Sequence, residues 1–235
     1  MVRPLRPLLW VASSKRDYRG FPAQVQDTLG FELFLAQTGQ HPPSAKLLKG
    51  LGSGTVELIE DFDGDTYRAI YTVRFGDVIY VLHAFKKKST GGVRTAQGDI
   101  NLVKRRLKYA ERDPCGAVQE GAKVMGRNIK VEVGSGNIFA DLGLPDADTH
   151  LLKAKIVSEI YRIANERKLT QAQAGKRMGI SQPEVSRMYK GNFREYSIDR
   201  LMAFLTSFDR DVEIVVKPHK RRGKAGRITF STVAA

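Results

Sequence analysis

The first half of the chain alternates apolar and polar residues in the periods that strands and helices require. Residues 22–37 place apolar side chains three or four positions apart, which predicts an amphipathic helix packed on a sheet. Later segments alternate with a period of two, and the turn signals Asp63-Gly64-Asp65 and Gly76-Asp77 join them into an antiparallel meander. The predicted elements are a strand over residues 6–12, a helix over 22–37, strands over 55–62, 66–74 and 78–85, and a basic helix over 95–112.

The second half has the pattern of a small helical domain. Residues 113–136 contain proline, several glycines and little periodicity, which predicts a linker between domains 1–112 and 137–235. Within this linker, IKVEV could form a short strand that pairs across the interface. The elements predicted beyond it are a long helix over residues 146–168, two short helices within 169–192, a helix over 198–208 and a strand over 211–218, followed by a basic tail.

Two capping boxes, eleven residues apart, organise the centre of this helical domain. Thr170 with Gln173, and Ser181 with Glu184, each satisfy free N–H groups where a helix begins. Gly179 supplies the positive φ that ends the first helix in a tight turn. Two short helices joined in this way resemble the helix-turn-helix of the phage-repressor (XRE) type.

The second helix of this motif presents side chains suited to duplex DNA. Gln182 and Arg187 match adenine and guanine edges in the major groove, whereas Gln171 and Asn192, at helix ends, are expected to position phosphates. The residues predicted to bind DNA are Gln171, Gln182, Pro183, Ser186, Arg187, Lys190 and Asn192.

Charge and cysteine content narrow the possible functions. The net charge of +14, with Lys and Arg in excess in both halves, favours polyanionic partners. Cys115 is the only cysteine, so an intrachain disulfide is excluded and a reducing cytoplasm is expected. No apolar run approaches membrane-spanning length, and we expect neither a metal nor a cofactor.

The first half also resembles a known toxin family over about residues 5–112. The matching features are Leu48-Lys49-Gly50 with Lys46 close by, Glu57-Leu58, Tyr67-Arg68, Tyr71, and Leu82-His83-Ala84-Phe85 followed by lysines. These are similar to the RelE/HigB-type toxins, specifically the phage-derived branch. One departure is Ala96, where the family often has proline at the start of the last helix. The resemblance implies a RelE-like α+β fold, an antiparallel sheet with N-terminal and C-terminal helices, and a ribosome-dependent endoribonuclease that cuts messenger RNA.

The residue types in the predicted sheet permit this chemistry. His83 has an unperturbed pKa near neutrality, and strict alternation would put it on one face with Ile79, Val81 and Phe85. Attack of a 2′-hydroxyl on a phosphate needs such a base, a proton donor for the leaving oxygen, and cations around the transition state. The predicted catalytic residues are His83, Arg68, Arg74, Lys86 and Lys87; those predicted to bind RNA are Lys46, Lys49, Tyr67, Phe85 and Lys88, with Tyr80 as a further stacking candidate.

The segments NIFADLGLPDAD, LTQAQAGKRMGISQPEVS and SIDRLMAFL with DVEIVV resemble the HigA-type antitoxins. The resemblance implies toxin neutralisation, autorepression at operator DNA and, for such repressors, a homodimer. MGRNIKVEV, from Met125, resembles the start of a free-standing antitoxin, so the chain is interpreted as a toxin fused to its antitoxin. Two alternatives stay open: a DNA-binding regulator with a non-catalytic N-terminal domain, and a ParE-type toxin that poisons gyrase.

Overall fold

The computed structural model describes residues 4–52, 54–75, 77–87, 96–112, 129–218, 226 and 228–232, without the side chains of residues 74, 75 and 112. The chain divides into two compact units, Pro4–Ala147 and Asp148–Ala235. The division falls later than the boundary expected at residue 137, because residues 129–147 fold with the first unit.

The first unit is built on a six-stranded sheet in the order β2-β3-β4-β5-β1-β6. The helix α3 packs on one face of this sheet, and α1 and α2 lie on the other side. Its elements are β1 (Leu8–Val11), α1 (Ser14–Arg19), α2 (Ala23–Thr38), β2 (Lys46–Leu47), β3 (Thr55–Phe62), β4 (Asp65–Phe75), β5 (Val78–Lys87), α3 (Gln97–Arg112), β6 (Val131–Val133) and α4 (Ile138–Leu142).

The predicted meander is confirmed, but the sheet is mixed and not wholly antiparallel. β3, β4 and β5 pair antiparallel in sequence order. β1 runs parallel to β5, with Leu8 opposite Ile79, and β6 then pairs antiparallel with the outer edge of β1. Residues 129–136 were expected to be linker, with a strand there only as an option; the structure makes that strand part of the sheet.

The helix α2 is not amphipathic in its burial, in contrast to the prediction from the sequence. It is buried on all sides from Val25 to Gln37, because the sheet covers one side and α4 covers another. Its buried Glu32 is paired, since the carboxylate accepts a hydrogen bond from the backbone N–H of Ser44 at 3.1 Å. The apolar periodicity of the sequence predicted burial of only one side of α2, because α4, which covers another side, comes from a distant part of the chain.

A β-bulge in β5 changes which side chains share a face. Ile70 pairs with His83 and Tyr71 pairs with Val81, so Leu82 is the extra residue of the strand. Leu82 packs in the core beneath α3, and His83 also turns towards α3, where it contacts Asp99. The prediction that Ile79, Val81, His83 and Phe85 share one face is therefore wrong, because the bulge resets the alternation after Val81.

The second unit is helical around a small core, as predicted. The inward stripe of α5, Leu152, Ile156, Ile160 and Ile163, is buried. The elements are α5 (Ala147–Glu166), whose first residue closes the first unit, followed by α6 (Gln171–Met178), α7 (Gln182–Tyr189) and α8 (Ile198–Thr206). Among the described residues, no helix is long and apolar enough to cross a membrane.

The strand predicted over residues 211–218 is not formed. This segment has no assigned secondary structure, and it exposes Ile214, Val215 and Val216, the last at 91%. A strand needs a neighbouring strand to receive its backbone hydrogen bonds, and this segment pairs with none that the structure describes.

Candidate functional site

The sheet face beneath α3 gathers several of the residues predicted to act on RNA. Lys46 pairs with Glu57, Glu57 with Ile70, and Ile70 with His83. Residues paired across neighbouring strands point to the same face, so these four side chains form one row. Arg68 and Phe85 pair with each other in a neighbouring row of the same face.

His83 is held at this face by contacts to α3 and to its own strand. Its Nε2 lies 3.1 Å from Oδ1 of Asp99, and its ring stacks on that of Phe85 at 4.7 Å between centroids. Nδ1 has no hydrogen-bond partner among the described residues. Burial lowers the pKa of the imidazole, and the hydrogen bond with Asp99 opposes this shift. The neutral ring can therefore donate from Nε2 to Asp99 while Nδ1 remains able to accept a proton.

Arg106 of α3 supports the bulge that orients His83. Its guanidinium donates to the carbonyl oxygen of the bulge residue Leu82 at 2.7 Å and to Oγ of Ser13 at 2.7 Å. Burial lowers the pKa of Arg106 from its usual value. Neither Arg106 nor Asp99 was predicted from the sequence, although an acidic residue in the first turn of a basic helix was a visible signal.

Arg68 lies in the sheet interior, paired with a carboxylate. Its Nη1 donates to Oε1 of Glu57 at 2.7 Å, and the side chains of Arg68 and Glu57 are 5% and 8% exposed. Because the Arg68 side chain is buried, its guanidinium is not presented at the surface where RNA would bind. The geometry therefore gives Arg68 a structural role in the described state, and its catalytic role stays a prediction.

The lysines that end β5 differ in position and in partner. Lys87 is partly exposed and points to the same face as Arg68 and Phe85. Lys86 points to the opposite face and forms an ion pair with Asp65. That hydrogen bond raises the pKa of the Lys86 ammonium, the opposite of what a lysine acting as a base requires. Lys88, and the side chain of Arg74 on β4, lie outside the described residues.

The aromatic residues expected to stack on RNA bases are mostly internal. Tyr80 is fully buried in the core beneath α3, and Tyr67 is buried against Phe21, with ring centroids 5.1 Å apart. Phe85 is partly exposed beside His83. Phe85 is therefore the aromatic residue of this set best placed to meet a base.

The remaining predicted RNA contacts, Lys46 and Lys49, are both exposed. Lys46 lies on β2, at the edge of the sheet and in the row that ends at His83. Lys49 follows β2 in the connection to β3. These two lysines, with the partly exposed Lys87, give the His83 face accessible positive charge.

In the second unit, both predicted capping boxes are formed. The Thr170 hydroxyl accepts from the backbone N–H of Gln173, and the Ser181 hydroxyl accepts from that of Glu184, with the reciprocal bonds also present. Gly179 ends α6 with a φ of 68°. These local bonds fix the start of both helices and the turn between them.

The crossing of α6 and α7 requires glycine at position 175. A Cβ atom there would lie 2.6 Å from the carbonyl oxygen of Ile180 and 3.2 Å from Cγ2 of Val185. Val185 and Met188 are fully buried beneath this crossing. The small residue, the turn and the buried inner face together confirm the helix-turn-helix.

The outer side of α7 carries the residues predicted to contact DNA. Nε2 of Gln182 donates to Oε1 of Gln171 at 2.6 Å, so the two amides are held together at the start of the two helices. The remaining members lie along or just after α7: Pro183, Arg187 and Lys190 are exposed, and Ser186 and Asn192 are partly exposed. Their contacts with DNA stay predictions.

Comparisons with known proteins assign both parts of the chain. The family described as "Phage derived protein Gp49-like" matches residues 16–108, and the family described as "Helix-turn-helix domain" matches residues 138–217. A solved structure whose name assigns it to the XRE family of transcriptional regulators is 37% identical and covers 39% of this chain and 100% of its own, with a TM-score of 0.35. Residues 16–108 therefore form a Gp49-like domain, and residues 138–217 form a helix-turn-helix domain. The comparison with curated proteins gave no match.

This identification supports DNA binding by the helix-turn-helix domain and a toxin-type N-terminal domain. Within the described residues, no group of three or more His, Cys, Asp or Glu side chains could hold a metal ion.

Proposed function

We propose that the chain is a toxin and its antitoxin in one polypeptide. The Gp49-like domain is a ribosome-dependent endoribonuclease that cuts messenger RNA, and the helix-turn-helix domain neutralises it and represses its own operon. The observation that carries the proposal is the His83–Asp99 pair, which leaves Nδ1 of a neutral imidazole able to accept a proton on a face with accessible lysines.

In this proposal His83 acts as the general base. Nδ1 accepts the proton of the RNA 2′-hydroxyl as its oxygen attacks the adjacent phosphorus. The bond from phosphorus to the 5′-oxygen then breaks, giving a 2′,3′-cyclic phosphate, and the leaving 5′-oxygen takes a proton from water; Asp99 holds the His83 ring through Nε2. Lys87, four residues further along β5, and Lys46, three strands away, lie on the same face and attract the RNA backbone. Because His83 is only 7% exposed, RNA reaches it after a local opening at the start of α3.

The helix-turn-helix domain reads an operator as a homodimer. Gln182 and Arg187 contact base edges, while Gln171 and Asn192 position phosphates. The exposed apolar residues 214–216 supply the dimer contact, in which residues 211–218 of two copies pair as strands. Residues 211–218 would then form a strand only when a second copy of the chain pairs with them, which agrees with the lack of strand structure there in a single copy.

Separate induction of residues 1–112 and of the full chain in a bacterial host tests the proposal. The proposal predicts growth arrest with residues 1–112 and normal growth with the full chain. His83→Asn should abolish the arrest at equal soluble protein, whereas His41→Asn, at an exposed position before β2, should not. Normal growth with soluble residues 1–112 would contradict the toxin assignment.

One observation favours a second candidate function. His83 and Arg68 are both buried, which suits a DNA-binding regulator whose Gp49-like domain binds a partner without catalysis. A ParE-type gyrase poison is the other alternative, and it needs no acid–base residue. Growth arrest that persists in the double variant His83→Asn with Arg68→Met would favour the gyrase poison.

A further inference from the structure

Residues 129–147 belong by sequence to one part of the chain and by structure to the other. The Gp49-like match ends at residue 108, and the helix-turn-helix match begins at residue 138, the first residue of α4. The compact unit that contains the Gp49-like sheet nevertheless extends to Ala147. A segment that starts the helix-turn-helix domain therefore completes the fold of its neighbour.

The segment binds first by adding a strand. β6 continues the sheet at β1, with Leu9 opposite Val133 and Trp10 opposite Glu132. Backbone bonds extend the ladder at both ends: the N–H of Ala12 donates to the carbonyl of Lys130 at 2.7 Å, and that of Gly134 donates to the carbonyl of Leu8 at 2.8 Å. This covers an edge that would otherwise present unpaired backbone groups.

Polar side chains then fix the direction of the segment. Asp141 is buried, and its carboxylate accepts from the indole Nε1 of Trp10 at 3.4 Å and from the backbone N–H of Ser135 at 3.0 Å. The guanidinium of Arg19 donates to the carbonyl oxygen of Asp141 at 2.8 Å. Lys15 of α1 forms an ion pair with Glu132. These contacts join the segment to β1 and α1.

Apolar packing of α4 completes the contact. Ile138, Phe139 and Leu142 are buried, and a Cβ at Gly30 of α2 would lie 3.3 Å from Cδ1 of Leu142. α4 packs on α1 and α2, whereas His83 is covered by Asp99 of α3. α4 therefore lies on the side of the sheet away from His83, whereas Val131 of β6 packs on the core beneath α3.

We propose that residues 129–147 are the toxin-binding element of the antitoxin, a clasp that holds the Gp49-like domain by strand addition and helix docking without covering His83. The roles of toxin and antitoxin rest on the proposed function, but the binding itself does not. A covalent link would then be dispensable for association, and a free helix-turn-helix chain starting before residue 129 would bind the same edge.

Cleavage of the full-length protein tests the clasp directly. A site for a sequence-specific protease is inserted within residues 113–128, the purified protein is cut, and the fragments are followed by size-exclusion chromatography and native mass spectrometry at micromolar concentration. The proposal predicts that both fragments remain together in equal amounts. Separation of the wild-type fragments would overturn it.

Two glycines supply a test variant, at position 134, and a matched control, at position 98. A Cβ at position 134 would lie 2.7 Å from Oδ2 of Asp141 and 2.9 Å from the carbonyl oxygen of Leu8, so Gly134→Ala should weaken association about tenfold or more. Gly98→Ala meets nothing within 4 Å and should leave it unchanged. Equal affinity of the Gly134→Ala and wild-type fragments would contradict the proposal.

Charge reversal keeps the test decisive if Gly134→Ala does not fold. Lys15→Glu and Glu132→Lys should each weaken association a few-fold, and the double variant should restore most of it. The absence of rescue in the double variant would place the contact elsewhere. Since no readout involves growth or RNA, a failure of the nuclease proposal remains distinguishable from a failure of the clasp.

Discussion

The buried Arg68–Glu57 pair allows the structural and catalytic roles of Arg68 to be separated. Both side chains are almost fully buried, and their nitrogen and oxygen atoms lie 2.7 Å apart. Removing one partner of such a pair takes this contact away from the buried charge that remains, which costs about 3–5 kcal/mol. We therefore expect Arg68→Met and Glu57→Leu each to lower the free energy of unfolding of the first unit by about that amount.

Replacing both residues together should cost much less than the sum of the single changes. An apolar pair of similar volume leaves no buried charge, and such replacements are often close to neutral. The coupling energy in the double-mutant cycle should then be about 2 kcal/mol or more. Arg16→Met is the control, because the Arg16 side chain is 83% exposed and its loss should change stability by less than about 0.5 kcal/mol.

Trp10 makes this measurement specific to the first unit. It is the only tryptophan of the chain, and it is fully buried in β1. Urea titration of the full-length protein, followed by its fluorescence, reports the unfolding of that unit. The structural role of the pair would be refuted if each single variant had a free energy of unfolding within about 0.5 kcal/mol of wild type and the two effects were additive. Arg68 would then remain a candidate for binding phosphate.

Three further variants test other parts of the account. Gly175→Ala should destabilise the second unit by about 1–3 kcal/mol, since the added methyl meets the Ile180 carbonyl; an unchanged thermal unfolding of that unit would contradict this. Arg187→Ala should cost about 1–3 kcal/mol on the operator and relax specificity at one base position; a uniform loss across sequences in a titration would reassign Arg187 to the backbone. Because the pKa of His83 is lower in the folded protein than in the unfolded chain, the unfolded chain takes up a proton at a higher pH. The free energy of unfolding should therefore fall as pH drops below about 6.5, the ordinary pKa of histidine. His83→Asn should reduce this dependence in urea titrations across that range, and an unchanged slope would show that His83 does not cause it.

Local signals in the sequence were sufficient to predict the helix-turn-helix. Each capping box spans only four residues, and Gly179 acts on the helix that it ends, so no distant contact is needed to form them. The hairpin turns that join β3, β4 and β5 are equally local. These parts of the fold follow from short-range physical chemistry.

The candidate site depended on features that short-range patterns do not contain. A single extra residue, Leu82, turned His83 towards α3, and the carbonyl of Leu82 is bound by Arg106 from a helix much later in the chain. Arg68 was expected to hold phosphate, but its partner Glu57 lies on the neighbouring strand. Residue types indicated the chemistry, and only tertiary contacts showed which groups are paired.

The boundary between the domains shows the same limitation. Glycine and low periodicity around residues 113–136 predicted a linker, yet β6 lies within that range and its edge partner β1 is near the start of the chain. Three residues of strand carry a weak periodic signal, so the sequence offered IKVEV only as an optional strand and did not identify β1 as its partner.

Primer-extension mapping of cellular transcripts after induction of soluble residues 1–112 tests the central claim most directly. We predict new 5′ ends within translated messages, their loss in the His83→Asn variant, and intact transcripts when the full chain is induced. Intact transcripts with soluble residues 1–112 would contradict an endoribonuclease and leave a DNA-binding regulator with a toxin-type domain of another activity.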